Sequence, residues 1–126
     1  MFDSGKDPLT HRILGEAIEV HRELGPGLLE STYEACLAYE LHARSLKVQS
    51  QIALPVRYRD QQLDAGYRVD LLVENQVVIE LKSVDRVQPI HEAQLMTYLR
   101  LSGFKTGLLI NFNVTRLMDG VTRRVL

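Results

Sequence analysis

Apolar positions recur at helical spacing near the start of the chain. Ile13, Ala17, Val20 and Leu24, with Leu14, Ile18 and His21 beside them, form one stripe, and Glu16, Glu19 and Glu23 take the opposing side. Asp7 as a side-chain cap and Pro8 in the first turn open this helix, and Gly25-Pro26-Gly27 ends it. A second helix is expected over residues 28–43. Its start has two solutions: Gly27 as the cap, or a capping box in Ser31-Thr32-Tyr33-Glu34. In both, Glu30, Tyr33 and Leu37 share one side.

The period then changes to strands. Residues 48–54 and 55–59 are β-rich, with a turn at Asp60-Gln61-Gln62, and 67–73 and 77–82 form a hairpin around Glu74-Asn75-Gln76. Pro89 starts a third helix that runs to about Ser102 and stops at Gly103. Leu95, Leu99 and Leu101 form its apolar side, and His91, Gln94 and Tyr98 line an adjacent stripe. Residues 105–112 read as a buried strand, and Asp119-Gly120 as the turn of a closing hairpin that returns Arg123 and Arg124 along the sheet. The order α-α-β-β-β-β-α-β plus that hairpin predicts an α/β fold, a mixed sheet flanked by helices. No repeat or linker interrupts residues 1–126, so one domain is expected, with disorder confined to the first few residues.

Composition narrows the class. The chain has 126 residues and one cysteine, Cys36, which leaves no intramolecular disulfide and no four-cysteine metal or iron–sulfur site. Cys36 falls in a helical pattern and is expected to be a small buried hydrophobe. No membrane-spanning run or signal segment is evident, so a cytoplasmic location is expected. A net charge of −1 argues against holding nucleic acid by bulk positive potential. The arginines are uneven, however: Arg57, Arg59 and Arg68 crowd the strands before Asp70, and Arg116, Arg123 and Arg124 lie near the end.

The candidate chemistry centres on Asp70 and on Glu80-Leu81-Lys82, the latter set in the apolar run from Val77. Charges are costly in a strand built for burial, and two carboxylates and an ammonium there need a cation or an anionic ligand to offset their desolvation, which a divalent metal and a phosphodiester would supply. Glu80 and Lys82 project to one side of their strand. Asp70 joins them if a three-residue connection, Glu74 to Gln76, sets it opposite Glu80; a two-residue turn would set it opposite Leu81 and send its carboxylate to the other side. In the first register Asp70 and Glu80 share a Mg²⁺ or Mn²⁺ ion, with the Leu81 carbonyl as a third ligand and water and a substrate phosphate completing the shell. Lys82 then orients the water or phosphate and stabilises charge in the transition state. Glu30 is the candidate for a third carboxylate, and Gln94 and Tyr98 for substrate contacts. Tyr33 is a further candidate for substrate contact.

Blander readings compete at each position. Glu-x-Lys alone is common as a solvated cross-strand pair, Tyr33 and Tyr98 have the type of core aromatics with a wet hydroxyl, and His91 suits a helix cap. His11, His21 and His42 lack metal-ligand spacing, which leaves no zinc site.

Taken together, these residues resemble a known family. Gly27-Leu28-Leu29-Glu30-Ser31-Thr32-Tyr33 is similar to the motif of the GxxExxY proteins, small members of the PD-(D/E)XK nuclease superfamily. The likeness extends through the segment from Ile18 to Gly27, Tyr67-Arg68-Val69-Asp70, the segment from Ile90 to Leu95, and Leu109-Ile110-Asn111-Phe112-Asn113. The resemblance implies a restriction-endonuclease-like αβββαβ core and a catalytic pattern at Asp70, Glu80 and Lys82. Glu30 and the Gln94, Tyr98 pair are similar to motifs of the RecB-like branch. A Mg²⁺- or Mn²⁺-dependent nuclease acting on DNA is therefore expected. It would work as a homodimer or higher oligomer, because one small copy covers little DNA. The competing expectations are a non-catalytic module that binds nucleic acid or protein, and a hydrolase of another phosphoester.

Overall fold

The computed structural model describes residues 7–126, so any expectation for residues 1–6 lies outside it. Asp7 caps helix α1 (Pro8–Leu24) as its sequence predicts, accepting from the Thr10 amide at 3.2 Å and from the Thr10 hydroxyl. Helix α2 spans Glu30–Ala43. Neither expected start is used: Leu29 holds the cap position without a side-chain cap, and Ser31 already lies inside the helix. The first turn is fixed from within instead. The Tyr33 hydroxyl donates to the Gly25 carbonyl at 2.5 Å and accepts from the Leu28 amide at 3.1 Å, pinning the Gly25–Leu28 bend.

Strands β1 (Val48–Tyr58), β2 (Gln61–Val73), β3 (Val77–Lys82), β4 (Thr106–Asn111) and β5 (Val121–Val125) form one sheet in the order β1-β2-β3-β4-β5. Helix α3 (Pro89–Ser102) crosses from β3 to its parallel neighbour β4, and the other neighbours are antiparallel. The run from α2 to β4 is thus αβββαβ. Helices α1 and α2 cover one face through Ile13, Ala17, Leu37 and Leu41 against Leu71, Ile79, Leu81 and Leu108. Helix α3 covers the other through Leu95 and Leu99 against Leu72, Val78 and Leu109.

Three local expectations are corrected. The segments 48–54 and 55–59 are one strand, because Pro55 falls at an irregularity between the Leu54 and Val56 pairings and does not end the ladder. The following turn is Arg59-Asp60, both with positive φ (49° and 66°), so β2 begins at Gln61 and carries residues 61–66 that the sequence pattern left outside it. Asp119-Gly120 does not form a two-residue turn; it belongs to a 3₁₀ turn, Leu117–Gly120, before β5. Gly120 is needed there, since a Cβ would lie 2.1 Å from the Asn111 carbonyl oxygen.

The connection between β2 and β3 does follow the expected register. Val73 pairs with Val77 and Leu71 with Ile79, so one further step sets Asp70 opposite Glu80. The C-terminal arginines do not form a basic stripe. Arg123 lies 3.0 Å from the Asp7 carboxylate, and Arg124 pairs with Glu92. Cys36 is half-buried at the edge of the α1–α2 packing.

Tyr33 corrects a further expectation. It is 0% exposed and stacked on Phe112 at 4.4 Å between ring centroids, which removes it from contact with any substrate. Replacing Tyr33 with Phe should cost about 1–2 kcal/mol of stability in urea unfolding, because it orphans the Leu28 amide and the Gly25 carbonyl. A loss well below this range would mean that the two hydrogen bonds of the hydroxyl do not hold the turn before α2.

Candidate active site

The sheet forks at Asp70. Beyond the Leu71–Ile79 pair the β2–β3 ladder stops, β2 continues with β1 alone, and β3 continues with β4. Side-chain phase reverses at the same place. Val69 packs on the α3 side and Leu71 on the α1–α2 side, although residues two apart in a regular strand share a face. In β1 the reversal falls at Gln51, whose φ is +53°, with Val48 on one side and Ile52 and Leu54 on the other. Both strands of the β1–β2 ribbon therefore turn over together where they leave the sheet.

Parting strands leave amides without ladder partners, and here carboxylates satisfy them. The Asp70 amide donates to Glu80 Oε1 at 3.1 Å, and the Leu81 amide donates to Asp70 Oδ2 at 2.8 Å. Asp70 Oδ1 accepts from Gln51 Nε2 at 3.2 Å, and that same amide nitrogen donates to Glu34 Oε1 at 2.8 Å. Glu80 is buried, at 7% exposure, and Asp70 and Lys82 are half-buried. Burial first, and the neighbouring Asp70 charge second, push the Glu80 carboxyl up to about 8; Lys82 opposes this without cancelling it.

The surrounding groups feel the same field. Burial raises the Glu34 carboxyl above its ordinary value, with Gln51 opposing and Asp70 adding to the rise. Burial, then the charges of Glu80 and Asp70, raise the Tyr98 hydroxyl. Tyr98 also meets Tyr67 edge-on at 6.1 Å between centroids. So the fork gathers Asp70, Glu80 and Lys82 from the sheet, Glu34 from α2 and Tyr98 from α3.

Other sequence-stated candidates fall elsewhere. Glu30 is exposed at the first residue of α2, and the α2 carboxylate acting on Glu80 is Glu34, one helical turn further on. Among the described residues no three of His, Cys, Asp and Glu stand close enough to hold one ion, so the expected convergence of Asp70, Glu80 and Glu30 is corrected to a carboxylate pair. Gln94 is exposed one turn before Tyr98 on α3. His91 caps α3, its Nδ1 accepting from the Gln88 amide at 2.9 Å.

Three contributors were missed. Glu34 carries only the signal of a helix cap and Gln51 none, and Gln51 reaches Asp70 only because the strand turns over there. Asn111 had a signal: a polar residue ending the apolar run from Gly107. It is buried, donates to the Val84 carbonyl at 2.9 Å and accepts from the Val84 amide at 3.1 Å. Together with the Phe112 amide on the Lys82 carbonyl, at 2.9 Å, it fixes the backbone that carries Lys82.

The donor set fits a hard divalent cation. Two carboxylates at one fork, one of them buried beside a like charge that a single lysine does not offset, form a site whose charge state a cation would stabilise. The pH dependence follows in sign. Between about 4.5 and about 8 the folded protein keeps a proton on Glu80 that the unfolded chain has released, so metal-free stability falls as pH rises across that window. Urea unfolding in EDTA should show this decline, by up to about 1.4 kcal/mol per pH unit. Glu80→Gln should flatten it, and an unchanged slope in that variant would place the proton elsewhere. A divalent ion that displaces the proton should stabilise the wild type more as pH rises.

The sequence matches the family model of the PD-(D/E)XK nuclease superfamily over residues 7–125. No curated protein and no solved structure matches the chain. The αβββαβ run, the mixed sheet between helices and the matched span agree: the chain belongs to the PD-(D/E)XK nuclease superfamily, with its restriction-endonuclease-like fold.

Proposed function

We propose that this chain is a Mg²⁺- or Mn²⁺-dependent phosphodiesterase acting on DNA in the cytoplasm, of the GxxExxY type within its superfamily. The observation that carries the reading is the buried Glu80 carboxylate held against Asp70 at the end of the β2–β3 ladder. The two carboxylates satisfy the amides freed at the fork, yet burial sets one acid against the other without enough positive charge to offset them, and such a pair is well suited to a cation.

Asp70 and Glu80 are the residues that would hold the ion, with the Leu81 carbonyl as an added oxygen. When bound, a divalent cation neutralises charge at the scissile phosphate and lowers the pKa of a water to be used as nucleophile. Lys82, on the same side of β3 as Glu80, orients the phosphate and stabilises the charge that builds on it. Gln51 keeps the Asp70 carboxylate aimed while its other contact holds Glu34. Tyr98, with Gln94 one turn before it, positions substrate from α3, and Glu34 is the α2 carboxylate beside the fork. A small chain covers few nucleotides, which favours a homodimer or higher oligomer, measurable by light scattering.

The test is an incubation of single- and double-stranded DNA and RNA with Mg²⁺ or Mn²⁺. Cleavage should require the ion, stop in EDTA, and fall at least about 100-fold in Lys82→Ala and in Asp70→Asn. Binding without cleavage across that panel would instead assign a non-catalytic module.

A further inference from the structure

Beyond the fork, β1 and β2 run on as a two-stranded ribbon, with no third strand beside it among the described residues. Residues 61–68 of β2 are all exposed. Among its exposed polar side chains this ribbon also carries aromatic and cationic ones. Tyr58 is 57% exposed and Tyr67 40% exposed, and the Arg59 guanidinium lies over the Tyr58 ring, 5.5 Å from its centroid. Arg57, Arg59 and Arg68 stand here against Asp60 and Asp64, and Arg68 lies 3.7 Å from Asp64. Between the ribbon and the end of α3 lies an open groove of about 430 Å³, where Arg57 and Arg100 face a common space.

The ribbon leads into the site. Tyr67 is three residues from Asp70 and touches Tyr98, whose hydroxyl feels the Asp70 and Glu80 charges. The C-terminal arginines offer no comparable surface, since Arg123 and Arg124 are paired with Asp7 and Glu92.

We propose that the α3-facing side of the β1–β2 ribbon and Arg100 form the docking surface for a single nucleic-acid strand, with a base on Tyr67 and phosphates on Arg57 and Arg100. This rests on the nuclease reading above and names the form of substrate that the site receives. The stacking surface, with little bulk positive charge behind it, favours a single strand over a duplex. A duplex is gripped by positive potential spread along both strands, and the chain as a whole carries a net charge of −1. Tyr67, 40% exposed beside these arginines, offers a stacking plane that only an unpaired base can reach.

The test measures fluorescence anisotropy of a labelled 20-nucleotide DNA strand, and of its duplex, in EDTA so that nothing is hydrolysed. The R57A/R100A variant should lose at least about tenfold in affinity for the single strand and flatten its log–log salt slope by about 1. Y67A should lose about 5-fold or more for the single strand while leaving the weaker duplex binding unchanged. Urea unfolding of each variant separates a folding defect from lost contacts. If folded variants keep wild-type affinity, or if the duplex binds as tightly as the single strand and loses as much, the inference is overturned. Cleavage by the wild type after addition of Mn²⁺ reports on the nuclease reading separately. Ribbon-dependent binding with no cleavage would sustain the docking surface and remove the phosphodiesterase.

Discussion

Where β2 and β3 separate, two backbone amides lose their ladder partners, and the chain satisfies each with a carboxylate from the opposing strand. The Asp70 amide goes to Glu80, and the Leu81 amide goes to Asp70. This exchange places two acids side by side at the edge of an apolar sheet. Hydrogen bonds from amides favour the charged form of a carboxylate, whereas burial and a neighbouring negative charge oppose it. At Glu80 the opposing effects win, and its carboxyl is pushed up to about 8. The fork is thus held together geometrically and left electrostatically incomplete, which is the condition that a divalent cation relieves.

The rest of the fold serves that geometry. The three-residue connection after Val73 sets the register that brings Asp70 opposite Glu80. The coincident reversals at Gln51 and Asp70 let the ribbon leave the sheet without exposing the core on either face. Asn111 secures the chain just beyond Lys82, and Gly120 lets the returning segment approach the Asn111 carbonyl. Tyr33 closes the turn before α2 and thereby sets where Glu34 falls relative to Gln51 and Asp70.

Much of this was legible in the sequence because it rests on period and turn chemistry. The amphipathic stripe of α1, the Pro-led α3 and the apolar run of β3 each carried a strong local signal. The Glu74–Gln76 connection carried one as well, and through it the facing of Asp70 and Glu80. What failed depended on tertiary contacts. The capping box at Ser31 is a local motif overridden by a Tyr33 hydroxyl reaching back to the loop. Glu30 and Glu34 lie one turn apart on α2, and sequence spacing alone does not say which of them meets the sheet. Gln51 has a positive φ that nothing in its neighbours announces. Pro55 and Arg59-Asp60 shifted the strand boundaries because the edge ribbon tolerates a proline and a turn without glycine.

The central claim is that the Asp70–Glu80 fork is a cation site, and it is tested most directly by anomalous scattering from crystals grown with Mn²⁺. A peak within coordination distance of both carboxylates, lost in Asp70→Asn, is the result expected here. Well-ordered crystals with both carboxylates defined and no peak between them, at Mn²⁺ concentrations that support cleavage, would contradict it.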